Sequence, residues 1–445
     1  MDMCSGPMLG KIIRYALPLM VSGVLQLLYN AADMAVVGRF AGKEALAAVG
    51  STSELIALIV TLFIGLSTGA SIITARFWGA RDHEGVARAV HTSIAVACVS
   101  SVILLGLGVT CSPLFLTWMG TPADVLPGAS LYMRIYFAGI PFNLLFNFGS
   151  ALLQATGDTK RPLYFLTLAG LINVLLNLFF VVVCHMAADG VALATVLSQA
   201  VSAVMVICTL LRADGSLRLE PRKLRIHGPI LKEMARIGLP SGMNAGMFAI
   251  ANVLIQSAVK SFGSAVMAGN AAACNLEAFI WACMNAVFNA DMTFTSQNMG
   301  ARKPDRVKRA GRTCILLAMG VGGGLGVMLY FFGPVLLTLY NSEPHVVEMG
   351  MAHLRATAFF FFAAAGMDSF AHHLRGMGSS IFPMIVSLLG VCVFRIVWLY
   401  TAFAAHPTLE TLFFCYPISW TLTMIALGIA NIIMSRRVLP RLAQS

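Results

Sequence analysis

Apolar runs of about twenty residues recur from one end of this chain to the other, separated by short polar intervals. That is the length a bilayer asks of a helix. Lipid offers no hydrogen bonds, so a spanning segment is either a helix or a strand of a closed barrel. The runs lack the period-2 alternation of barrel strands, which leaves helices. Twelve spans result: 14–38, 46–75, 88–111, 130–154, 162–186 and 189–211, then 237–260, 266–298, 312–334, 350–374, 381–404 and 410–435. The predicted fold is therefore an all-α polytopic membrane protein with 12 transmembrane helices. The opening stretch "GKIIRYALPLMVSGVLQLLYNAADMAVV" is too long for a cleavable signal and has no small-residue cleavage site, so it reads as a retained first span.

The polar intervals repeat. WGARDHEGVARAV, beginning at Trp78, is echoed 221 positions later by MGARKPDRVKRAG, beginning at Met299. At the same shift Arg134 meets Arg355, and Leu153, Gly157 and Pro162 meet Leu374, Gly378 and Pro383; Pro18 meets Pro240 one residue out of register. Matches spread over most of a half imply a duplication. Six spans per copy put both copies of a loop on one side of the membrane. The repeat is then parallel, two six-helix lobes related by a pseudo-twofold axis along the membrane normal. The expected domains are an amino-terminal lobe 1–211, a cytoplasmic linker 212–236 and a carboxyl-terminal lobe 237–445. Parallel repeats of this kind are typical of secondary transporters, with the substrate site between the halves.

Composition narrows the class further. Only 11% of residues are charged, less than half of the roughly 25% usual in soluble domains. With the N-terminus cytoplasmic, 24 of the 30 Lys and Arg fall on the inner side, while only Arg39, Lys43 and Lys260 fall outside. Arg134, Arg355 and Arg395 fall within spans. This bias predicts both termini cytoplasmic in a multi-pass protein of the cell membrane. It also assigns the net charge of +11 to anionic lipid headgroups instead of nucleic acid. Ten cysteines without paired spacing suggest neither disulfides nor a zinc site. No cofactor is implied, and a monomer is expected.

Acids inside a membrane are costly and are functional candidates by default. Five qualify: Asp33, Glu54, Glu277, Asp291 and Asp368. Gln26, Asn30 and Asp33 share one face of span one at i, i+4, i+7, and Asn173 and Asn177 share a face of span five. By helical rise, Asp33, Asn177 and Thr195 lie roughly 7–12 Å below the outer surface. One carboxylate among neutral oxygens can hold a sodium ion or a proton. The competing reading is that Asp33 only hydrogen-bonds neighbouring helices. Glu54 with Arg134, and Glu277 with Arg355, come at matched depths and read as repeated structural ion pairs, with Arg395 a competitor for Glu277. Asp368, His372 and Arg375 share a face of span ten, and Asp291 reads as structural. Met243, Met247 and Phe248, with Asp368, could line a substrate cavity or serve plain packing. "GLSTG" (65–69) and "GVGGGLG" (320–326) imitate a nucleophile elbow and a phosphate loop, but both sit inside apolar helices, so an enzyme is not expected.

The order of features resembles the multidrug and toxic compound extrusion (MATE) transporters. The likeness rests on "QLLYNAADMAVVGRFAG", "GASIITARFWGAR", "LLQATGDTKRP", "INVLLNLFF", "ADGVALATVLSQ" and "QNMGARKPDRVKRA", and covers nearly the whole chain. The resemblance implies a cation-driven antiporter that exports amphipathic, often cationic, organic compounds by alternating access, using protons or sodium ions. It also implies an amino-lobe cation site at Asp33, Asn173, Asn177 and Thr195. Archaeal-type members carry a second aspartate where this chain has Asn177. Others carry a glutamate where Phe248 sits and an aspartate where Ala364 sits, with Asp368 one turn beyond. Asp33 is thus expected to be the main coupling group. A flippase for lipid-linked saccharides, of the same superfamily, is the alternative.

Overall fold

The computed structural model describes residues 1–118, 121 and 125–444, with side chains described throughout except at 41–48, 51, 53–54 and 443–444. Twelve helices among the described residues are long and apolar enough to cross a membrane. They are α1 (Met8–Phe40), α2 (Leu55–Gly79), α3 (His83–Trp118), α4 (Leu126–Ala155), α5 (Lys160–Val183), α6 (Ala188–Leu211), α7 (Gly228–Lys260), α8 (Ser264–Gly300), α9 (Pro304–Thr338), α10 (Pro344–Gly376), α11 (Ile381–Phe403) and α12 (Leu409–Leu442). Their order matches the predicted spans, but several run longer. At 36 residues α3 is roughly 54 Å long, well beyond a hydrocarbon core of about 30 Å. Helix α7 begins at Gly228 instead of 237, with Pro229 in its first turn. Polarity stops a helix from burying in lipid, but only lost capping or backbone strain stops it from being a helix.

The chain forms two compact units: Met1 with Val24–Gly242, and Asp2–Gly23 with Met243–Ser445. Each of α1 and α7 therefore contributes one half to each unit. In the first unit α4 is the central helix, packed by α2, α3 and α6, with Phe137, Leu144, Phe148 and Leu152 fully buried. In the second unit α10 takes that place among α8, α9 and α12, with Met284, Phe288, Leu354 and Phe361 at the core. The "GVGGGLG" glycines serve this packing. Gly322 and Gly326, one turn apart on α9, sit so close to Ala365 and the Ala358 carbonyl of α10 that neither has room for a side chain.

The duplication extends to helix ends. Arg81 and Arg302 occupy equivalent positions and both adopt the left-handed conformation, at φ 58° and 53°. Gly157 and Gly378 do so at φ 91° and 96° after α4 and α10. At the arginines the next amide turns back to close the helix: Asp82 N–H donates to the Phe77 carbonyl and Lys303 N–H to the Asn298 carbonyl, each at 3.0 Å.

Helices α2 and α7 meet along a glycine seam within the first unit. A Cβ on Gly65 would lie 2.5 Å from Gly242 N and 2.6 Å from the Gly238 carbonyl. At the basic end of the seam Arg76 and Glu233 form an ion pair at 3.0 Å. Ser67, in the middle of this α2 segment, gives its hydroxyl to the Ile64 carbonyl at 2.7 Å, so no nucleophile elbow exists. The interval after α6 is tied down as well: His91 accepts from Glu220 N–H at 3.1 Å, and Thr92 accepts from His227 N–H at 3.2 Å.

Candidate functional site

The outer half of α1 is seated on α5 by residues one turn apart. Tyr29 lays its ring against Gly170, where any side chain would collide with it, and donates its hydroxyl to the Thr167 carbonyl at 3.2 Å. One turn on, Asp33 Oδ1 accepts from Asn177 Nδ2. Gly170, Asn173 and Asn177 follow i, i+3, i+7, so a single stripe of α5 supplies both the gap and the two amides. Asn177 is fully buried and its Nδ2 also lies 3.3 Å from Asn173 Oδ1. Its own Oδ1 is buried without a hydrogen-bond partner among the described residues.

That orphan oxygen has a chemical reading. The Asn177 amide N–H group stands between two oxygens, from Asp33 and Asn173, where a positive charge would be stabilised. Turning the amide over would present a third oxygen to the same point. One carboxylate and two amide oxygens form a suitable donor set for a monovalent cation. Both helices then relax into π-helical turns, α1 at Val37–Ala41 and α5 at Phe179–Val183. Such turns are common where function interrupts regular helix.

The MatE family model matches this chain twice, over residues 18–179 and 240–401. The chain belongs to the MatE family. As a MATE transporter it is not an enzyme, and the double match is the same duplication that the polar repeats announce. "Probable multidrug resistance protein YoeA" of Bacillus subtilis is 26% identical over 384 residues, covering 85% of this chain and 83% of its own length. A "FAD transporter" of Shewanella oneidensis is 25% identical over 349 residues, covering 77% of each chain. Among solved structures, the outward-facing conformation of a multidrug resistance MATE family transporter of the MOP superfamily superposes with a TM-score of 0.90. It covers 100% of this chain and 98% of that one at 23% identity, a likeness of fold.

The remaining candidate positions of this MATE chain divide. Thr195 gives its hydroxyl to the Val191 carbonyl of its own helix at 2.9 Å, and no bond joins it to Asp33. Gln26 and Asn30 lie exposed on α1, in the two turns before Asp33. Met243 is exposed on α7, while Met247 and Phe248 are half-buried; Phe248 packs against the core of the second unit. Asp368 is half-buried and its carbonyl accepts from His372 Nδ1 at 2.8 Å. His372 Nε2 in turn faces Arg375 Nη1 at 3.4 Å. The adjacent His373 points elsewhere, to Asp291 Oδ1 at 2.9 Å, with the Thr295 hydroxyl donating to the same oxygen at 3.1 Å.

The expected ion pairs are corrected by the structure. Glu277 does not meet Arg355 or Arg395. It pairs with His353 at 3.1 Å and accepts from Thr357 Oγ1 at 2.7 Å. Arg355 is two residues beyond His353, about 200° further round the helix, and is exposed. Arg395 is buried, with its guanidinium 4.3 Å from the Tyr416 ring centroid and Nη1 donating to Asn252 Oδ1 at 3.0 Å. In the first unit Arg134 is exposed and the Glu54 side chain lies outside the described residues. The repeat register pointed to Arg355; helical phase, which decides which side chain faces inward, pointed to His353. The i, i+4 spacing of His353 and Thr357, which puts both on one face of the helix, was the signal in the sequence.

Proposed function

We propose that this MATE transporter exports small amphipathic or cationic organic compounds in exchange for protons or sodium ions. It does so by alternating access, as a monomer in the cell membrane with both termini cytoplasmic. The observation that carries the reading is the Asp33 carboxylate held against buried Asn177, whose amide oxygen has no partner among the described residues. The multidrug name of the Bacillus relative supports the substrate class. A cation bound at Asp33 must favour one access state over the other, since a ligand without such preference drives nothing.

Coupling free energies of about 1–3 kcal/mol correspond to roughly 5–150-fold changes in affinity. Asp33→Asn keeps the shape and removes the charge. In proteoliposomes loaded with a fluorescent organic cation, under an imposed pH or sodium gradient, wild type exports the dye. The variant folds and inserts, but gradient-driven efflux falls by at least about tenfold. Wild-type rates in Asp33→Asn would remove Asp33 as the coupling group.

The rival is a flippase for lipid-linked saccharides, which needs several basic groups deep in a cavity to hold pyrophosphate. Arg134 and Arg355 are exposed, and Arg395 is closed against Tyr416 and Asn252, which disfavours it. A flippase would leave the dye where it was loaded.

A further inference from the structure

The second unit contains a buried acid–base pair that the reading above does not use. His353 is 1% exposed, Asn270 4%, Thr357 0% and Glu277 8%. His353 Nε2 lies 3.1 Å from Glu277 Oε1, and its Nδ1 lies 2.8 Å from Asn270 Oδ1. Both ring nitrogens therefore face a polar partner, and the carboxylate is met from both the imidazole and the Thr357 hydroxyl. We propose that Glu277 and His353 form a proton-binding site in the second unit, separate from Asp33.

The proton balance follows from the bonds. Before uptake, Nε2–H donates to the Glu277 carboxylate, and the Nδ1 lone pair accepts from the Asn270 amide N–H with that amide turned over. A proton arriving from water binds Nδ1. The amide turns back, and Nδ1–H donates to Asn270 Oδ1, across the 2.8 Å that separates the two atoms. The pair then holds one more proton, carried on Nδ1, and both ring nitrogens donate: Nε2–H to the Glu277 carboxylate and Nδ1–H to the Asn270 oxygen. A ring held for packing alone needs only one such bond. This ring has a hydrogen-bond partner at each nitrogen, as a doubly protonated imidazole requires.

The surroundings suit a site whose charge changes. Facing the pair are Cys274 from α8 and Tyr416 from α12. Arg395 from α11 lies behind Tyr416, with its guanidinium stacked on that ring. Helix α9 packs on this part of α10 through Gly333 and Leu337, neither of them titratable. The base in contact with Glu277 is the His353 imidazole, at 3.1 Å. Helices α8 and α10 are also held in close apposition here: a Cβ on Gly269 would lie 2.6 Å from Gly350 N.

Proton binding at this pair stands by itself; its use in transport rests on the cation-coupled reading above. The test is a titration of the purified full chain in detergent between about pH 9 and about pH 5, a range that covers histidine and perturbed carboxylates. Glu277→Gln/His353→Gln is expected to take up about one proton fewer per chain than wild type. In proteoliposomes the same variant is expected to export dye with an altered dependence on pH, while Asp33→Asn stops gradient-driven export. Equal proton uptake by wild type and the double variant overturns the proposal, whatever the transport result. A normal uptake difference together with a wild type that shows no gradient-driven efflux would instead sink the cation-coupled reading and leave the proton site standing. Should the double variant not fold, His353→Gln alone must change the shape of the titration curve. A curve superposable on that of wild type overturns the site.

Discussion

Gly65→Ala is the sharpest probe of how the first unit is assembled. The added Cβ would sit 2.5 Å from Gly242 N and 2.6 Å from the Gly238 carbonyl, both backbone atoms that no rotamer change can move. Ordinary carbon contacts lie at about 3.5–4.0 Å, so α2 and α7 must part by roughly 1 Å. A gap of that size forfeits about a quarter to a half of each dispersion contact along the seam. Overpacking of this kind costs about 1–3 kcal/mol, and the backbone-to-backbone nature of this clash puts the expectation near 2 kcal/mol. Gly106 on α3 is the control, because a Cβ there meets nothing within 4 Å. Gly106→Ala should gain about 0.5–1 kcal/mol from reduced backbone freedom in the unfolded chain. Thermal unfolding in detergent measures both. The reasoning is refuted if Gly65→Ala melts at or above Gly106→Ala. A further check is Gly65→Ala with Gly238→Ala, which should cost less than the sum of the singles, since the first substitution has already separated the helices.

Two other substitutions test buried charge and backbone strain. His373→Leu removes the imidazole from Asp291, whose Oδ2 is already buried without a partner. Breaking a buried pair in this way costs about 3–5 kcal/mol, and adding Asp291→Asn should return part of it. A melting temperature unchanged by His373→Leu would show that Asp291 is not held as an ion. Arg81→Gly replaces an exposed residue at φ 58° with one that adopts that conformation freely. Relief of the left-handed strain outweighs the glycine's extra chain entropy by about 0.5–1 kcal/mol, so the variant should melt slightly higher than wild type.

Much of the site's raw material was legible before any coordinates. Asp33 stood out because an acid in an apolar run must have a reason, and Asn173 and Asn177 because their spacing puts them on one face. Periodicity could not say that Asn177 is the amide of the two that bonds the carboxylate among the described residues, or that Thr195 spends its hydroxyl on its own helix. Short polar side chains often bond locally, and sequence does not distinguish that from a tertiary bond. The failure at Glu277 was of another kind. Depth along the axis was read correctly, but a helix turns 100° per residue, so matched depth does not establish a facing pair.

What the sequence alone determined was the class of the molecule: twelve apolar helices, duplicated halves and a chain made for lipid. These follow because bilayer thickness and the lack of hydrogen-bond partners in lipid act on composition and length, which a linear string records. Tertiary structure alone decided the partners: Asp33 with Asn177, Glu277 with His353, Asp291 with His373, and glycine against glycine between α2 and α7. Each depends on the rotation of one helix about its axis relative to its neighbour. That rotation is set by packing summed over many small contacts, not by any residue taken alone.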